Sequence, residues 1–210
     1  TISNLEITNT SPNYNSQFGL NTSTNTSLAL RAINVSAKDF GVVSGIKIQD
    51  CYIHDINGNI NLKWNGGIFF DVQADVIGGE LSGIPTKYDD VLIEGCTFIN
   101  VDRSGIKLVN SAWCNQWLPN SPDIPLNWYP STNVVVRNNY MEKIGGDGIT
   151  TRDTDGALIE YNLAKDCRYQ NTGYNVGIWP FEAANTVIQY NEAYNTHGTQ
   201  DGQGLDCDHA

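Results

Sequence analysis

The sequence predicts an all-β solenoid built from stacked strands, and three observations lead there. One short unit is written three times between Asn133 and Asp208: NVVVRNN (133–139), GALIEYN (156–162) and NTVIQYN (185–191) are followed by GDGITTRD (146–153), VGIWPFE (176–182) and GQGLDCD (202–208). The repeat starts at Asn133, Gly156 and Asn185 lie 23 and 29 residues apart, which suits one coil of a solenoid and is too short for a propeller blade. Apolar residues alternate with period two inside each unit, where a helical repeat would need a period of 3.6. Such a unit cannot bury its apolar face alone and must stack on its neighbours. It reads as strand, Asn turn, strand, glycine turn, strand.

Taken in order, NLEITNT (4–10) is expected to be the first coil strand, and the Ser/Thr/Asn-rich stretch 11–27 a loop leaving it. LALRAINVSA (28–37) resumes alternation and is expected to supply a strand to the coil that GIKIQDC (45–51) completes. An expanded turn at 55–64 precedes GGIFFDV (66–72), and a glycine-rich excursion at 74–89 precedes DVLIEGC (90–96) and SGIKLVN (104–110). The longest excursion, 111–132, carries Trp113, Trp117, Trp128 and four prolines. A loop this long in a solenoid is usually functional.

Equivalent residues of stacked coils lie about 4.8 Å apart and form ladders. Two are predicted: Thr10, Cys51, Cys96, Asn139, Asn162, Asn191 and, on the third strand, Ile68, Ile106, Ile149, Ile178, Leu205. An inward asparagine column is stable where a single buried asparagine is not, because each amide donates to one neighbour and accepts from the other. Of the five cysteines, Cys167 and Cys207 also fall at inward positions; a Cys51–Cys96 bridge is permitted by spacing and required by nothing.

The 210 residues suit a single domain (1–210) with insertions near 11–27, 74–89 and 111–132. A net charge of −11 argues against a nucleic-acid partner and disfavours a highly anionic polymer. No apolar run is long enough to span a membrane. The chain starts inside a coil-like strand and stops just after one, so a fragment without its end caps, from a secreted, periplasmic or cell-surface protein, is expected.

The stretches GGDGITTRDTDGALIEYN, GIWPFEAANTVIQYNEA and GTQDGQGLDCD resemble the parallel β-helix proteins of the pectate-lyase-like superfamily, in particular bacterial polysaccharide-active ones. The resemblance implies a right-handed single-stranded parallel β-helix. It implies no particular reaction, because this superfold hosts hydrolases, lyases, epimerases and adhesins. The polygalacturonase set is not assembled: Gly-His-Gly and Arg-x-Lys do not occur, the sole Asn-x-Asp, Asn100 to Asp102, falls in a turn, and Asp89-Asp90 precedes a different strand.

On the third strands the outward residues are predicted to align as Phe69, Lys107, Thr150, Trp179, Asp206 and, two further on, Asp71, Val109, Arg152, Phe181, Asp208, with Asp153 and Glu182 at strand ends. Glycoside hydrolysis needs two carboxylates flanking the bond, roughly 5 to 9.5 Å apart. Glu182, Asp206, Asp208 and Asp153 are the catalytic candidates; Trp179, Arg152, Lys107, Trp113, Trp117 and Trp128 are candidates for binding an oligosaccharide or polysaccharide. Asp147 and Asp155, beside glycines, read as turn formers. A hydrolase of this kind needs no cofactor and no metal. A polysaccharide lyase using Arg152 or Lys107 as base with Ca²⁺ on a uronate, and a non-catalytic carbohydrate-binding or structural β-helix, are the alternatives.

Overall fold

The computed structural model describes residues 1–10, 14–15, 20–21, 29–58, 60, 62–114, 127–169, 174–197 and 201–208. All the coil strands pair in parallel, in three sheets, and no helix occurs among the described residues. The first sheet stacks Ile2–Ser3, Val42–Gln49, Lys87–Glu94, Ser131–Arg137, Leu158–Glu160 and Val187–Gln189. The second stacks Glu6–Thr10, Tyr52–Asn57, Thr97–Val101, Tyr140–Ile144, Leu163–Cys167 and Glu192–Tyr194. Arg31–Lys38, Gly66–Gln73, Ser104–Val109, Ile149–Arg152 and Ile178–Phe181 form the third. Each coil visits the sheets in this order, which makes a parallel β-helix.

Register explains the core. Ile48, Ile93, Val136 and Ile159 stand over one another in the first sheet, and Ile53, Phe98, Met141 and Ala164 in the second. Ile33, Ile68, Ile106, Ile149 and Ile178 do so in the third, and a bridge from Ile178 to Leu205 extends that column. All but Leu205 are buried, and each Ile, Val, Phe or Met side chain among them contributes about 1.5 to 3 kcal/mol of burial free energy.

At the corner between the first and second sheets, one residue per coil takes a left-handed conformation: Asn4, Asp50, Gly95, Asn138, Tyr161 and Tyr190. Asn, Asp and Gly tolerate it; the two tyrosines stack with ring centroids 5.0 Å apart. The next residue points inward, and here the asparagine column is found. Asn139 Nδ2 donates to Asn162 Oδ1 at 2.9 Å, and Asn162 Nδ2 donates to Asn191 Oδ1 at 2.9 Å. Cys96 and Cys51 continue it as buried free thiols. Thr10 does not belong to it. Glu6 pairs with Tyr52, so the first coil turns at Asn4 and presents Leu5, while Thr10 lies at the far end of the second-sheet strand beside Asn57.

The glycine turn also has a packing cause. A Cβ on Gly105, Gly148 or Gly177 would stand 2.6, 2.4 and 2.4 Å from the carbonyl oxygens of Gly148, Gly177 and Gly204 on the next coil. Backbones approach there as only glycine allows.

Other expectations shift. Arg31–Lys38 closes its own coil as a third-sheet strand, before Val42–Gln49 begins the next. The excursions expected at 74–89 and 111–132 end early, because first-sheet strands start at Lys87 and Ser131; the former contains an antiparallel hairpin, Asp75–Ile77 with Glu80–Ser82. Most of 11–27 lies outside the described residues; within it Tyr14–Asn15 pairs antiparallel with Leu20–Asn21. Cys167 is buried as expected, whereas Cys207 is exposed.

Candidate active site

The third sheet turns Phe69, Lys107, Thr150 and Trp179 outward in one register column. Phe69, Lys107 and Thr150 are nevertheless buried. The turns between the second and third sheets are long enough to fold over this face: Trp64 meets Phe69 edge-on at 5.8 Å, and Lys63, Asp147, Tyr174 and Asp201 rise beside the column. The result is a cavity of about 370 Å³ lined by Lys63, Lys107, Asp147, Thr150, Arg152, Tyr174, Trp179, Phe181, Asp201 and Asp208. Trp179 and Phe181 stand 5.1 Å apart, and Arg152 lies 5.1 Å from the Phe181 ring.

Three basic and three acidic side chains line this cavity, so it is electrically balanced inside a chain of net charge −11. Burial pushes the Lys107 amine down to about 8, against the opposing pull of Asp147. Asp147 is itself buried: its Oδ1 accepts a hydrogen bond from the Val176 amide at 3.0 Å, and its Oδ2 lies 4.0 Å from Arg103 Nη2. Asp201 is exposed and Asp208 half-buried. Thr150 Oγ1 and Trp179 Nε1 are buried without a hydrogen-bond partner among the described residues.

Of the residues singled out from sequence, Lys107, Arg152, Trp179 and Asp208 come together here. Asp206 stands beside Trp179 in register, but its Oδ1 accepts from the Cys207 amide at 2.9 Å and it does not line the cavity. Asp153 and Glu182 occupy the corner after the third sheet with φ of 58° and 47°, which swings both carboxylates out of the groove to positions 0% and 5% exposed. Burial pushes Asp153 up to about 7. Trp113 and Trp128 line a second cavity of about 490 Å³ with Gly41, Ile84, Pro85, Asn127 and Tyr129, which shares no residue with the first. Trp113 packs into the core. Trp117 lies outside the described residues. Sequence reasoning missed Lys63, Tyr174 and Asp201, and placed Asp147 only as a turn former. Among the described residues no group of three His, Cys, Asp or Glu is gathered as metal ligands.

Behind the groove, next to Arg103, Asp102 is 3% exposed, and burial pushes it up to about 8. The folded state therefore keeps a proton that the unfolded chain releases near pH 4, so this group removes stability as pH rises from about 4 to about 8. Asp102→Asn is expected to raise the melting temperature at pH 8.5 and to change it little at pH 4, a difference on the order of a few kcal/mol. Thermal melts at both values check it; an equal shift at both would mean that Asp102 is not held neutral.

The fold and groove place the chain among parallel β-helix proteins that carry their side-chain cluster on an outward sheet face. No known family profile matches it. It is 34% identical, over an alignment of 205 positions that covers 82% of this chain, to a lacto-N-biosidase of Bifidobacterium longum subsp. longum, of which it covers 13%. The crystal structure of a GH136 lacto-N-biosidase from Eubacterium ramulus superposes with a TM-score of 0.65 at 23% identity, over 98% of this chain and 36% of that one. The selenomethionine derivative of that enzyme gives a TM-score of 0.66 at 24% identity, over 99% and 39%. The chain thus spans about an eighth of the curated relative and little more than a third of the solved structures.

Proposed function

We propose that this chain carries the catalytic groove of a glycoside hydrolase that cleaves a neutral oligosaccharide, with Asp201 and Asp208 as the carboxylate pair. The observation that carries the reading is the composition of one cavity: aromatic faces for a sugar ring, unpartnered donors for its oxygens, and acids in the same lining. Of the three lining acids, Asp147 is buried, accepts from a backbone amide and faces Arg103, whereas Asp201 is exposed and Asp208 half-buried, so these two are the ones a substrate entering the cavity meets. One delivers a proton to the glycosidic oxygen while the other acts as base or nucleophile at the anomeric carbon. Lys107, Thr150 and Trp179 Nε1 donate to substrate oxygens, and the Trp179 face stacks on the ring. The balance of three bases and three acids favours an uncharged substrate over a uronate. The likeness to lacto-N-biosidases supports the same reading and suggests a lacto-N-bioside as substrate.

The test is incubation of the protein that contains this chain with a chromogenic lacto-N-bioside and with neutral and uronic oligosaccharides. Release of chromophore or new reducing ends is expected. Absorbance from an unsaturated uronate would establish elimination instead, and binding without turnover a lectin-like module. Trp179→Ala is expected to raise KM about tenfold with little change in kcat, the size of one lost stacking contact; equal loss in kcat alone would remove Trp179 from substrate binding.

A further inference from the structure

We propose that Asp153 and Glu182 are positioning residues that lock the Arg152 guanidinium into the groove wall, so that Arg152 meets substrate as a fixed donor. The proposal rests on the hydrolase reading for its substrate and on geometry for the lock itself.

Arg152 ends a third-sheet strand, and Phe181 stands over it in register on the next coil. Each is followed by a residue with a left-handed backbone, Asp153 and Glu182, at a position where neither is a glycine. That conformation turns both carboxylates away from the groove and toward the same guanidinium. Glu182 Oε2 pairs with Arg152 Nη2, and Asp153 Oδ2 lies 3.4 Å from Arg152 Nε. Asp153 Oδ2 is itself fixed by the Asn110 amide, which donates to it at 2.9 Å. The guanidinium is held from above by the Phe181 ring, 5.1 Å away, which leans on Trp179. Trp179, Phe181 and Arg152 therefore stand side by side in the cavity lining, with the flexible member paired to Glu182 at Nη2 and faced by the Asp153 carboxylate at Nε, which makes no hydrogen bond of its own among the described residues. Five N–H groups in a planar fork leave donors for a ligand after both carboxylates are served. An arginine already fixed loses little conformational entropy when substrate arrives.

The lock has a titratable part. Asp153 is faced by Arg152, Glu182, Cys114 and the Asn110 amide, and burial holds it protonated up to about pH 7. As pH rises through that value the carboxylate ionises and its hold on Arg152 tightens.

The test uses Glu182→Gln, Asp153→Asn, Arg152→Ala and the double variants with Arg152→Ala, in the protein that contains this chain, with a chromogenic lacto-N-bioside. Glu182→Gln and Asp153→Asn are expected to raise KM about ten- to a hundredfold while kcat stays within about threefold. Each double variant is expected to be no worse than Arg152→Ala alone, because the acids act through the arginine. The fall of KM between pH 6 and 8 is expected to flatten in Asp153→Asn. A hundredfold loss of kcat at constant KM, or additive effects in the double variants, overturns the proposal. A readout independent of turnover is the Arg152 Nη2–H resonance, whose acceptor is Glu182 Oε2. It is expected to be slow to exchange in the wild type and to lose protection in both acid variants. Protection retained in both overturns the lock even if the wild type hydrolyses no glycoside, and absence of turnover with the expected resonance pattern overturns the hydrolase reading alone.

Discussion

Asp201→Asn and Asp208→Asn are each expected to lower kcat by roughly 100- to 10,000-fold on a chromogenic lacto-N-bioside, with melting temperature unchanged. An amide keeps the shape of the carboxyl but delivers no proton and attacks no anomeric carbon. Folding is expected to survive because Asp201 is exposed and Asp208 only half-buried, outside the hydrophobic core. Asp147→Asn serves as contrast: its Oδ1 accepts from the Val176 amide, a bond that an amide oxygen preserves, so a smaller loss is expected. Steady-state kinetics with melts on the same samples check all three. Wild-type turnover in both Asp201→Asn and Asp208→Asn would move the chemistry out of this cavity.

Residues of the sheet face were legible in the sequence, and residues of the turns were not. Period-two alternation fixes which side of a strand a residue occupies, and stacking at a common register fixes its neighbours, so the column of Phe69, Lys107, Thr150 and Trp179 could be read before any coordinates. Lys63, Tyr174 and Asp201 sit on excursions of different length between the second and third sheets, where no period constrains the chain. Asp201 is followed by a glycine, which reads as a turn and nothing more. Asp153 and Glu182 are expected at the strand ends beside the outward face, where no alternation fixes a side chain, and a left-handed φ at each carries the carboxylate out of the groove into a buried corner. Thr10 was misplaced for a related reason. The first coil turns on Asn4 and carries Leu5 where the other coils carry the inward cysteine or asparagine, so the sequence motif points to the wrong end of the second-sheet strand.

Asn162→Leu is expected to destabilise the protein by about 3 to 6 kcal/mol although it adds apolar volume to a buried site. Asn162 is 2% exposed at the middle of the column, between Asn139 and Asn191. Its Oδ1 accepts from both the backbone amide and the side-chain amide of Asn139, at 3.1 and 2.9 Å. Its Nδ2 donates to Val136 O and Glu160 O at 2.9 and 3.0 Å, as well as to Asn191 Oδ1. Leucine replaces none of these, and each buried group left without a partner costs about 1 to 3 kcal/mol. The larger side chain also has to fit between coils held at the strand spacing of about 4.8 Å. Asn162→Ala separates the two causes: it loses the same hydrogen bonds but adds no bulk. A loss in Asn162→Ala that approaches that of Asn162→Leu assigns the effect to hydrogen bonding, and a much smaller loss assigns it to overpacking. Chemical denaturation at pH 7 measures both, and an unchanged midpoint for Asn162→Leu would show that the column does not hold the coils together.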